Sequence, residues 1–408
     1  MKCRHCSADV TLPFLDLSTS PPSNAYLSLA QLAAPEIWFP LRLLVCTECW
    51  LVQTEDHAGR EALFTDDYAY FSSVSRSWLA HAERYVSEMS DRFSLSDASM
   101  VVEIAANDGY LLQFVKQRGI PCYGVEPTRS TAKAAREKGL EIIGEFFGVT
   151  LAERLAKQYG AADLTAANNV LAHVPDINDF VAGFARLLKP DGVSTFEFPH
   201  LLRMVQQAQF DTAYHEHYSY LSLGTVVAIF ERNGLRVFDV TELPTHGGSL
   251  RVFAQRADEG RRTVSTAVGR LLTVEEAAGM RAPTFYQSFQ PVAERVKNDL
   301  LTFLVDAKRQ GKRVIAYGAA AKGNTLLNFA GVKPDLLPYV CDAAPSKQGK
   351  FMPGSRVPIL HPDVIGEERP DYVLILPWNI ADEVKTQLLF VRDWGAKFVT
   401  AVPHLQIT

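Results

Sequence analysis

The sequence predicts an α/β protein in which a small cysteine-containing unit precedes two doubly wound sheets. Short apolar runs alternate with helical patterns from residue 100 to residue 257, and the alternation restarts at KRVIAYG. The last two runs of the first series, RVFDVTE and SLRVFAQ, follow each other without a helix, which predicts an antiparallel edge. From Ser75 to Phe93 apolar and aromatic residues recur at spacings of three and four, which predicts an amphipathic helix, and residues 258–310 have a charged helical pattern. We therefore expect three units, at 1–74, 75–257 and 258–408.

Length and composition exclude several classes of protein. A chain of 408 residues is long enough to bury more than one core. Its 41 Lys and Arg against 46 Asp and Glu give a net charge of -5, which disfavours a nucleic-acid partner. The first ten residues lack an apolar signal core and no run of about 18 apolar residues occurs, so no membrane partner is expected. We expect a cytoplasmic monomer.

Two CxxC pairs within the first 50 residues predict a structural zinc site. Cys3 and Cys6 stand in CRHC, and Cys46 and Cys49 stand in CTEC. Four thiolates can close a tetrahedral zinc shell that leaves no position for water, so the metal would support folding rather than catalysis. A redox pair is the weaker interpretation, because neither CxxC lies at a strand-to-helix turn of the thioredoxin type. A nucleic-acid-binding zinc ribbon is disfavoured by the acidic chain.

The first α/β unit begins with a strand and a turn that can bind a small ligand. In VVEIAANDGYLLQF the turn contains Asn107, Asp108 and Gly109, and a helix is expected to follow. A dinucleotide-binding fingerprint would need GxGxxG here, but Ala105 lies in that region. The second strand ends at Glu126, whose carboxylate could accept both ribose hydroxyls of an adenosyl group. A solvated turn and a helix-capping acid are the alternative.

The order of these elements resembles the S-adenosylmethionine-dependent class I methyltransferase fold. Further motifs narrow the resemblance, because NNVLAHVPD, YHEHYSY, THGGSLRVF, GAAAKGN and KQGKFMPG follow the zinc unit and the VEIAANDGYLL turn in one order. Over essentially the whole chain this order is similar to the bacterial sugar C-methyltransferases, which methylate a ring carbon beside a ketone in nucleotide-linked deoxysugars. The sequence departs from that family at Ala105, where glycine is common, which implies a tighter or displaced cofactor contact.

The resemblance implies three domains with separate roles. An N-terminal zinc-binding domain would help to cover the active site, a central class I methyltransferase Rossmann-like domain would bind S-adenosylmethionine, and a smaller C-terminal Rossmann-like α/β domain would contribute to nucleotide-sugar binding. The positions assigned to the cofactor lie in the first turn and beyond the neighbouring strands: Glu103, Ala105, Asn107, Asp108, Gly109, Glu126, Pro127, Phe146, Phe147, Asn168 and Asn169.

Methylation of a carbon requires a base and a group that stabilises the enolate. The proton beside a ketone is removable only if the enolate oxygen is stabilised as it forms. Histidine suits the base because its pKa lies near neutrality. We assign His217 as the base, Glu216 or Tyr214 as the residue that holds its ring or the substrate, and His173 as a second group in the same cleft. By resemblance, Tyr68 belongs to this set.

Each of these assignments has a structural alternative. His173 could cap a loop, and Tyr68 could be a packed aromatic edge against the zinc unit. Metal binding by the HEH sequence is the weaker interpretation, because a zinc-binding HExxH spacing is absent. Without a metal there, His215 would face outward or hydrogen-bond the backbone.

The C-terminal unit contains a second turn that can bind an anion. VIAYGAAAKGNTLLNF ends a strand in small residues and begins a helix with Lys322 and Asn324 near its amino terminus. The diphosphate of the nucleotide-linked sugar is the expected ligand of this turn, and Lys347 would supply a second positive charge. We assign His246 and Gly247 of the THGG turn to the same substrate. Alternatively, the small residues serve only strand-to-helix packing. The turn lacks the GK[ST] of a P-loop, so nucleotide hydrolysis is not expected.

The resemblance, taken together with these residues, implies an S-adenosylmethionine-dependent C-methyltransferase that acts on carbon 3, next to the ketone, of a nucleotide-linked 4-keto-deoxysugar. Enolisation by a histidine would precede methyl transfer, and zinc would be structural. Two alternatives stay open: an NAD-dependent sugar-nucleotide oxidoreductase, and a zinc-ribbon binding protein on a methyltransferase-like scaffold. Ala105 and the antiparallel edge disfavour the first, and the second would not need converging Tyr, His and Glu side chains.

Overall fold

The computed structural model describes residues 1–57 and 71–408, and in that part of the chain the strands form three sheets. The N-terminal unit (residues 1–57) supplies three antiparallel strands: β1 (Leu12–Ser20), β2 (Phe39–Val45) and β3 (Val52–Thr54). Leu12 pairs with Val45, and Leu43 pairs with Thr54.

The central unit (residues 76–256) carries a mostly parallel sheet with one antiparallel edge. The strands in this part of the chain are β4 (Val101–Ile104), β5 (Cys122–Val125), β6 (Ile142–Ile143), β7 (Ala162–Asn168), β8 (Leu188–Pro199), β9 (Ser219–Tyr220), β10 (Leu235–Leu243) and β11 (Ser249–Arg256). All of them except β9 belong to the central sheet. Among the described residues the order is β10-β11-β8-β7-β4-β5-β6. Both β10 and β8 pair antiparallel with β11, which confirms the predicted edge.

Strand β9 joins the N-terminal sheet rather than the central one. Val52 of β3 pairs with Tyr220, and Gln53 pairs with Ser219. This strand comes directly after the FDTAYHEHY segment, so the pairing holds that segment against the N-terminal unit. The sequence did not predict this contact, because a two-residue strand has too little periodicity to be recognised.

Helices flank the central sheet and follow the predicted alternation: α1 (Arg76–Phe93), α2 (Leu112–Gln117), α3 (Arg129–Glu137), α4 (Val149–Tyr159), α5 (Ile177–Leu187), α6 (Leu201–Gln206) and α7 (Leu223–Arg232). The hydroxyl of Ser75 caps α1 by accepting a hydrogen bond from the backbone N–H of Trp78 at 3.2 Å. Tyr85 and Met89 on its apolar face are buried in the core. The amphipathic pattern predicted this helix correctly.

The C-terminal unit (residues 266–408) contains a second, smaller α/β sheet. Its strands are β12 (Val314–Tyr317), β13 (Val340–Cys341), β14 (Ile359–Leu360), β15 (Tyr372–Ile375), β16 (Lys397–Thr400) and β17 (Gln406–Ile407). Within the described chain their order is β14-β13-β12-β15-β16-β17, with β17 antiparallel. The order reverses at β12, so the GAAAKGN turn lies at the switch point where such folds bind ligands.

The helices of the C-terminal unit are α8 (Thr266–Ala277), α9 (Pro283–Gln287), α10 (Gln290–Arg309), α11 (Ala321–Ala330), α12 (Val364–Glu368) and α13 (Ala381–Gln387). The first three occupy the charged stretch 258–310, as predicted. Phe14 of β1 stacks on Phe289 with ring centroids 4.9 Å apart, and Trp50 stacks on Tyr286 at 5.7 Å. The N-terminal unit therefore packs against the C-terminal unit as well as the central one.

Across residues 1–57 and 71–408, none of the helices combines the length and the apolar composition that a membrane crossing requires. The proposed boundaries at 1–74, 75–257 and 258–408 remain predictions.

Candidate active site

The four N-terminal cysteines lie close enough to bind one metal ion. Their sulfur atoms are all within 4.8 Å of one another, with 3.5 Å separating Sγ of Cys3 from that of Cys49 and Sγ of Cys6 from that of Cys46. Zinc held at about 2.3 Å by four thiolates needs sulfurs roughly 3.8 Å apart, so the cluster fits a tetrahedral shell. The amide of Gln53 donates to Cys3 Sγ at 3.4 Å, an outer contact typical of such sites.

Glu126 links the ends of the first two central strands. One carboxylate oxygen accepts the N–H of Asn107 at 2.9 Å, and the other accepts the N–H of Thr128 at 2.8 Å. The residue is 5% exposed, and this burial raises the pKa of its carboxyl, while the hydrogen bonds from Thr128 and Asn107 act in the opposite direction. Each carboxylate oxygen has a second lone pair, so Glu126 can still accept hydroxyl groups of a ligand.

The turn between β4 and α2 has an unusual backbone. Ala105 has a φ of 59°, Asn107 of 48° and Gly109 of 75°. This left-handed region costs little for glycine and more for alanine, so position 105 is one where glycine would relieve strain. A Cβ on Gly109 would lie 2.2 Å from Leu140 Cδ1, so the turn needs glycine there. Glu103, at the end of β4, is 1% exposed, and burial raises the pKa of its carboxyl well above the ordinary value.

The side chains of the turn contact the segment before α1. Asn107 Oδ1 accepts the N–H of Ser72 at 2.9 Å, and Asp108 accepts the N–H of Ser73 at 3.3 Å. Lys138 donates to the carbonyl of Asp108 at 2.7 Å. The segment that enters α1 therefore lies against the predicted cofactor turn.

Two of the predicted cofactor positions differ in exposure. Phe147 packs against Phe184 with ring centroids 4.9 Å apart and against Phe180 at 5.6 Å, so its ring belongs to the apolar core. Phe146 is 41% exposed, and Pro127 is half-buried. Of the two phenylalanines, Phe146 is the more accessible to a ligand.

The end of β7 meets the turn of the β10–β11 hairpin. Asn169 Nδ2 lies 3.2 Å from His246 Nε2, and Oδ1 of Asn168 is buried without a hydrogen-bond partner among the described residues. Burial lowers the pKa of His246 to about 4, and the charge of Lys322 acts in the same direction. A Cβ on Gly247 would lie 2.6 Å from the Trp378 ring, so the hairpin turn is pressed against the C-terminal unit.

His217 lies in a buried aromatic cluster. Its ring centroid is 3.9 Å from that of Tyr214, 4.6 Å from that of His173 and 5.8 Å from that of Tyr220. Its Nδ1 is 3.1 Å from the carbonyl oxygen of Thr212, which can only accept, so the neutral ring carries its proton on Nδ1 and its lone pair on Nε2. Burial lowers the pKa of His217 well below the ordinary value, and His173 acts in the same direction.

His173 and Glu216 belong to the same group, and we call His173, Tyr214, Glu216 and His217 the histidine cluster. Nδ1 of His173 is 2.9 Å from the carbonyl oxygen of Glu216, and burial lowers the pKa of His173 to about 4. The carboxylate of Glu216, 2% exposed, accepts hydrogen bonds from Asn24 Nδ2 at 2.9 and 2.8 Å. The structure thus brings the rings of His173 and His217 together and joins Glu216 to His173 through its backbone carbonyl. Tyr68 lies outside the described residues.

His215 contacts the N-terminal sheet instead of the histidine cluster. Its Nε2 is 3.1 Å from the carbonyl oxygen of Pro40, and its ring packs edge-on to Phe39 at 5.8 Å. A backbone hydrogen bond is one of the two alternatives that the sequence left open for His215. In the described ranges the cysteine cluster is the one group of three or more His, Cys, Asp or Glu side chains that could hold a metal ion. The HEH sequence forms no second metal site there.

The C-terminal residues assigned to the substrate approach the site from α11. Lys322 Nζ donates to Asn379 Oδ1 at 2.8 Å and lies 4.6 Å from the centre of the Trp378 ring. Its charge lowers the pKa of both His217 and His246, so it belongs to the same electrostatic environment. Burial in turn lowers the pKa of Lys322.

Asn324 and Lys347 are already engaged by protein groups. Asn324 Nδ2 donates to the carbonyl of Ser23 at 2.6 Å. Lys347 Nζ lies 3.3 Å from an Asp342 carboxylate oxygen and donates to the carbonyl of Ala319 at 2.9 Å. Asn324 therefore ties the GAAAKGN turn to the N-terminal unit, and Lys347 holds the start of that turn. A diphosphate would have to share Lys347 with Asp342.

Family models match three consecutive parts of the chain. They are described as "Putative zinc binding domain" for residues 3–64, "Methyltransferase domain" for 78–240 and "C-methyltransferase C-terminal domain" for 244–403. C-methyltransferase NovU of Streptomyces niveus is 34% identical over 406 residues, which cover 100% of this chain and 96% of NovU. The chain belongs to the S-adenosylmethionine-dependent C-methyltransferases.

Other relatives resemble only part of this C-methyltransferase. Ubiquinone biosynthesis O-methyltransferase of Bordetella avium is 32% identical over 94 residues, 22% of this chain and 39% of that protein. Magnesium protoporphyrin IX methyltransferase of Synechocystis PCC 6803, solved with bound S-adenosylmethionine, matches with a TM-score of 0.34 and 16% identity over 44% of this chain and 79% of that chain. An S-adenosylmethionine-dependent methyltransferase from Clostridium acetobutylicum matches with a TM-score of 0.35 and 10% identity over 44% and 92%.

Family membership confirms the predicted class, methyl donor and zinc-binding N-terminal unit of this C-methyltransferase. It favours methyl transfer over the two alternatives, an NAD-dependent oxidoreductase and a binding protein without catalytic activity. The roles assigned to individual site residues remain predictions.

Sequence reasoning missed several residues of the candidate site. Trp378 Nε1 donates to Asp211 Oδ2 at 2.7 Å, which ties the FDTAYHEHY segment to the C-terminal unit. Burial raises the pKa of Asp211 to about 6, and the charge of Lys322 opposes this shift. Asp211 lies three residues before the YHEHYSY motif, and Trp378 follows strand β15. Asn24 and Tyr26 lie in a stretch without periodicity, where no sequence signal was available.

Proposed function

We propose that this C-methyltransferase methylates carbon 3, next to the ketone, of a nucleotide-linked 4-keto-deoxysugar, with His217 as the base. The observation that supports it best is the buried, neutral imidazole whose Nδ1–H is held by the Thr212 carbonyl, leaving the Nε2 lone pair to take a proton. Carbon beside a ketone becomes nucleophilic only after such a proton is removed. The sugar and the nucleotide are supported by the motif order that the chain shares with sugar C-methyltransferases.

Burial makes His217 available as a base but limits its strength. Because its pKa is lowered, the ring is neutral near pH 7. For the same reason it is a weaker base, so proton transfer from the substrate carbon to His217 is less favourable. The enolate oxygen must therefore be stabilised in the same step. Tyr214, whose ring lies 3.9 Å from that of His217, is the donor best placed for this, because the Nδ1–H of His173 already donates to the Glu216 carbonyl. Glu216, the residue before His217, would hold the ring or the substrate, as the sequence predicts.

The proposed reaction has two steps. His217 Nε2 takes the proton from the carbon beside the ketone, the C–H electron pair forms the enolate C=C bond, and negative charge moves to the ketone oxygen. S-adenosylmethionine, when bound, supplies an electrophilic methyl group to that carbon and leaves as neutral S-adenosylhomocysteine. Glu126 and the turn from Ala105 to Gly109 would hold the adenosyl group.

Lys322 is proposed to bind the diphosphate of the substrate. It stands at the start of α11, where the helix amino terminus also favours an anion. Its charge reaches His217 and His246, so anion binding would reduce the unfavourable field on the imidazolium that forms at His217. Binding of the substrate and proton removal would therefore support each other.

Solvent deuterium exchange tests the proposed base directly. The purified protein is incubated in deuterated water with a thymidine diphosphate-linked 4-keto-6-deoxysugar and S-adenosylhomocysteine, and loss of the carbon 3 proton signal is followed by NMR. His217→Asn should lower both exchange and methyl transfer by about 10²–10⁴ while substrate and cofactor still bind. Normal exchange in this variant would assign the base to another group.

His215→Asn is the matched control, because His215 is a neighbouring histidine that contacts Pro40 rather than the cluster. It should retain exchange and turnover. If the parent protein methylates no 4-keto-sugar nucleotide but does methylate another carbon acid, the substrate class is wrong while the base assignment stands.

A further inference from the structure

The N-terminal unit reaches the candidate active site through residues 23–27. The carbonyl of Ser23 accepts the Asn324 amide at 2.6 Å, and the hydroxyl of Tyr26 donates to the carbonyl of Ala319 at 2.6 Å. Leu27 pairs with Phe351 in an isolated antiparallel bridge. These contacts run along the C-terminal unit on both sides of position 24, so they hold the backbone there in a defined place.

Asn24 uses this fixed position to contact a carboxylate of the histidine cluster. Its Nδ2 lies 2.9 Å from Oε1 and 2.8 Å from Oε2 of Glu216, so one amide group donates toward both oxygens. Glu216 is 2% exposed. A carboxylate buried to this degree keeps its charge only where hydrogen-bond donors replace its lost hydration. Asn24 is half-buried and supplies such donors without bringing a charge of its own.

We propose that Asn24 is a positioning residue of the methyl-transfer reaction: its amide keeps the carboxylate of Glu216, the residue before His217, charged and in a fixed orientation while the His217 ring takes the proton. This inference rests on the proposed function and extends it to the N-terminal unit. The N-terminal unit thereby contributes to proton removal. Residue 24 lies between β1 and β2, the strands that stand between the two CxxC pairs in the chain, so the fold of the metal-binding unit positions Asn24.

The proposal predicts a loss in kcat rather than in cofactor affinity. Asn24→Ala removes the Asn24 amide that donates to Glu216 and leaves the turn from Ala105 to Gly109 unchanged. We expect kcat for methyl transfer to fall by about 10- to 100-fold, as for the loss of a hydrogen bond to a charged group. Solvent deuterium exchange of the substrate should fall by the same factor, because proton removal is the affected step. KM for S-adenosylmethionine should not change.

A double-mutant cycle separates a positioning role from a structural one. If Asn24 acts through Glu216, Asn24→Ala should cause no further loss in the Glu216→Gln background. Asn24→Asp should lower kcat more than Asn24→Ala does, because two carboxylates then face each other. In the Glu216→Gln background this additional loss from Asn24→Asp should disappear, since the glutamine amide can donate to the new carboxylate.

Asn178→Ala is the matched control for disturbing the N-terminal unit. Its Nδ2 donates to the carbonyls of His5 and Arg4 at 2.9 and 3.1 Å, so it also joins the N-terminal unit to the central unit, but beside the cysteine cluster. This variant should keep the kcat of the parent, even if its thermal stability is lower. Metal content is measured for every variant, and the nearly isosteric Asn24→Asp decides the matter if Asn24→Ala does not fold.

The outcomes distinguish this inference from the proposed function. If Glu216→Gln lowers turnover and exchange but Asn24→Ala leaves both at the parent level, the role of Asn24 is refuted and the proposed function stands. Additive losses in the double-mutant cycle would also refute it. If His217→Asn retains exchange, the proposed function fails, and the inference that rests on it fails as well.

Discussion

Replacing Glu126 by glutamine tests whether the carboxylate at the end of β5 binds the methyl donor. Glutamine has nearly the same shape but no charge, and it offers one acceptor oxygen where the carboxylate offers two. In the parent protein each oxygen of Glu126 accepts one backbone N–H, from Asn107 and from Thr128. The variant can satisfy one of them, while the other N–H faces an amide that cannot accept.

The geometry sets the size of the expected effect. Glu126 is 5% exposed, so solvent does not screen its contact with a ribose hydroxyl. A hydrogen bond to a charged group contributes about 1.5–3 kcal/mol. At about 1.4 kcal/mol per tenfold change, Glu126→Gln should weaken binding of S-adenosylmethionine and S-adenosylhomocysteine roughly 10- to 150-fold. The orphaned N–H should also lower the free energy of unfolding by about 1–3 kcal/mol.

Titration calorimetry with S-adenosylhomocysteine measures the affinity, and urea unfolding measures the stability of the same samples. Glu137→Gln is the control, because Glu137 lies exposed on α3 and its nearest cation, Lys133, is 3.9 Å away. That variant should match the parent in both measurements. If folded Glu126→Gln binds S-adenosylhomocysteine within about twofold of the parent, the adenosyl group does not contact this carboxylate and the assignment is wrong.

Two further predictions concern the metal and a buried acid. Cys46→Ser should remove the one metal ion expected per chain and lower stability, because the other three thiolates cannot close the shell; metal analysis and thermal unfolding check this, and unchanged values would contradict the zinc site. Burial raises the pKa of Asp211 from 3.8 to about 6, so the folded state binds its proton more tightly and the stability it contributes is lost as the pH rises through 6. Asp211→Asn keeps an acceptor for Trp378 and removes this titration, so from about pH 4.5 to 7.5 the parent should lose about 2 kcal/mol relative to the variant. Equal pH dependence of unfolding in urea would show that Asp211 keeps an ordinary pKa.

Much of the fold could be predicted because its elements carry local signals. The apolar runs from VVEIA to SLRVFAQ became strands β4 to β8, β10 and β11, and the three- and four-residue spacing after Ser75 became α1. The short strands β9, β14 and β17 have two residues each and were missed. A pair of residues has no measurable period. Strand β6 also has two residues, but it was predicted because it lies in the longer apolar run LEIIG, whereas the three missed strands are defined only by pairing with a neighbour.

The candidate site was predictable where its residues cluster in the sequence. The FDTAYHEHY segment contains His217, Glu216 and Tyr214, and the chemistry of carbon methylation singled them out before the geometry was known. The orientation of each ring was not predictable. That His215 bonds the Pro40 carbonyl while His217 joins His173 depends on how the segment lies between the N-terminal sheet and β7.

The sequence by itself determined the three-part α/β architecture, the four-thiolate site and the residue types at the candidate active site, because spacing and periodicity act over a few turns of chain. Only the tertiary structure decided that Asn24 meets Glu216 across 192 residues and that Trp378 meets Asp211 across 167. Such contacts depend on how separate units pack, since a buried polar group is satisfied by whichever partner the packing brings within reach. A local sequence pattern predicts that a residue is buried, but it does not predict which distant residue will contact it.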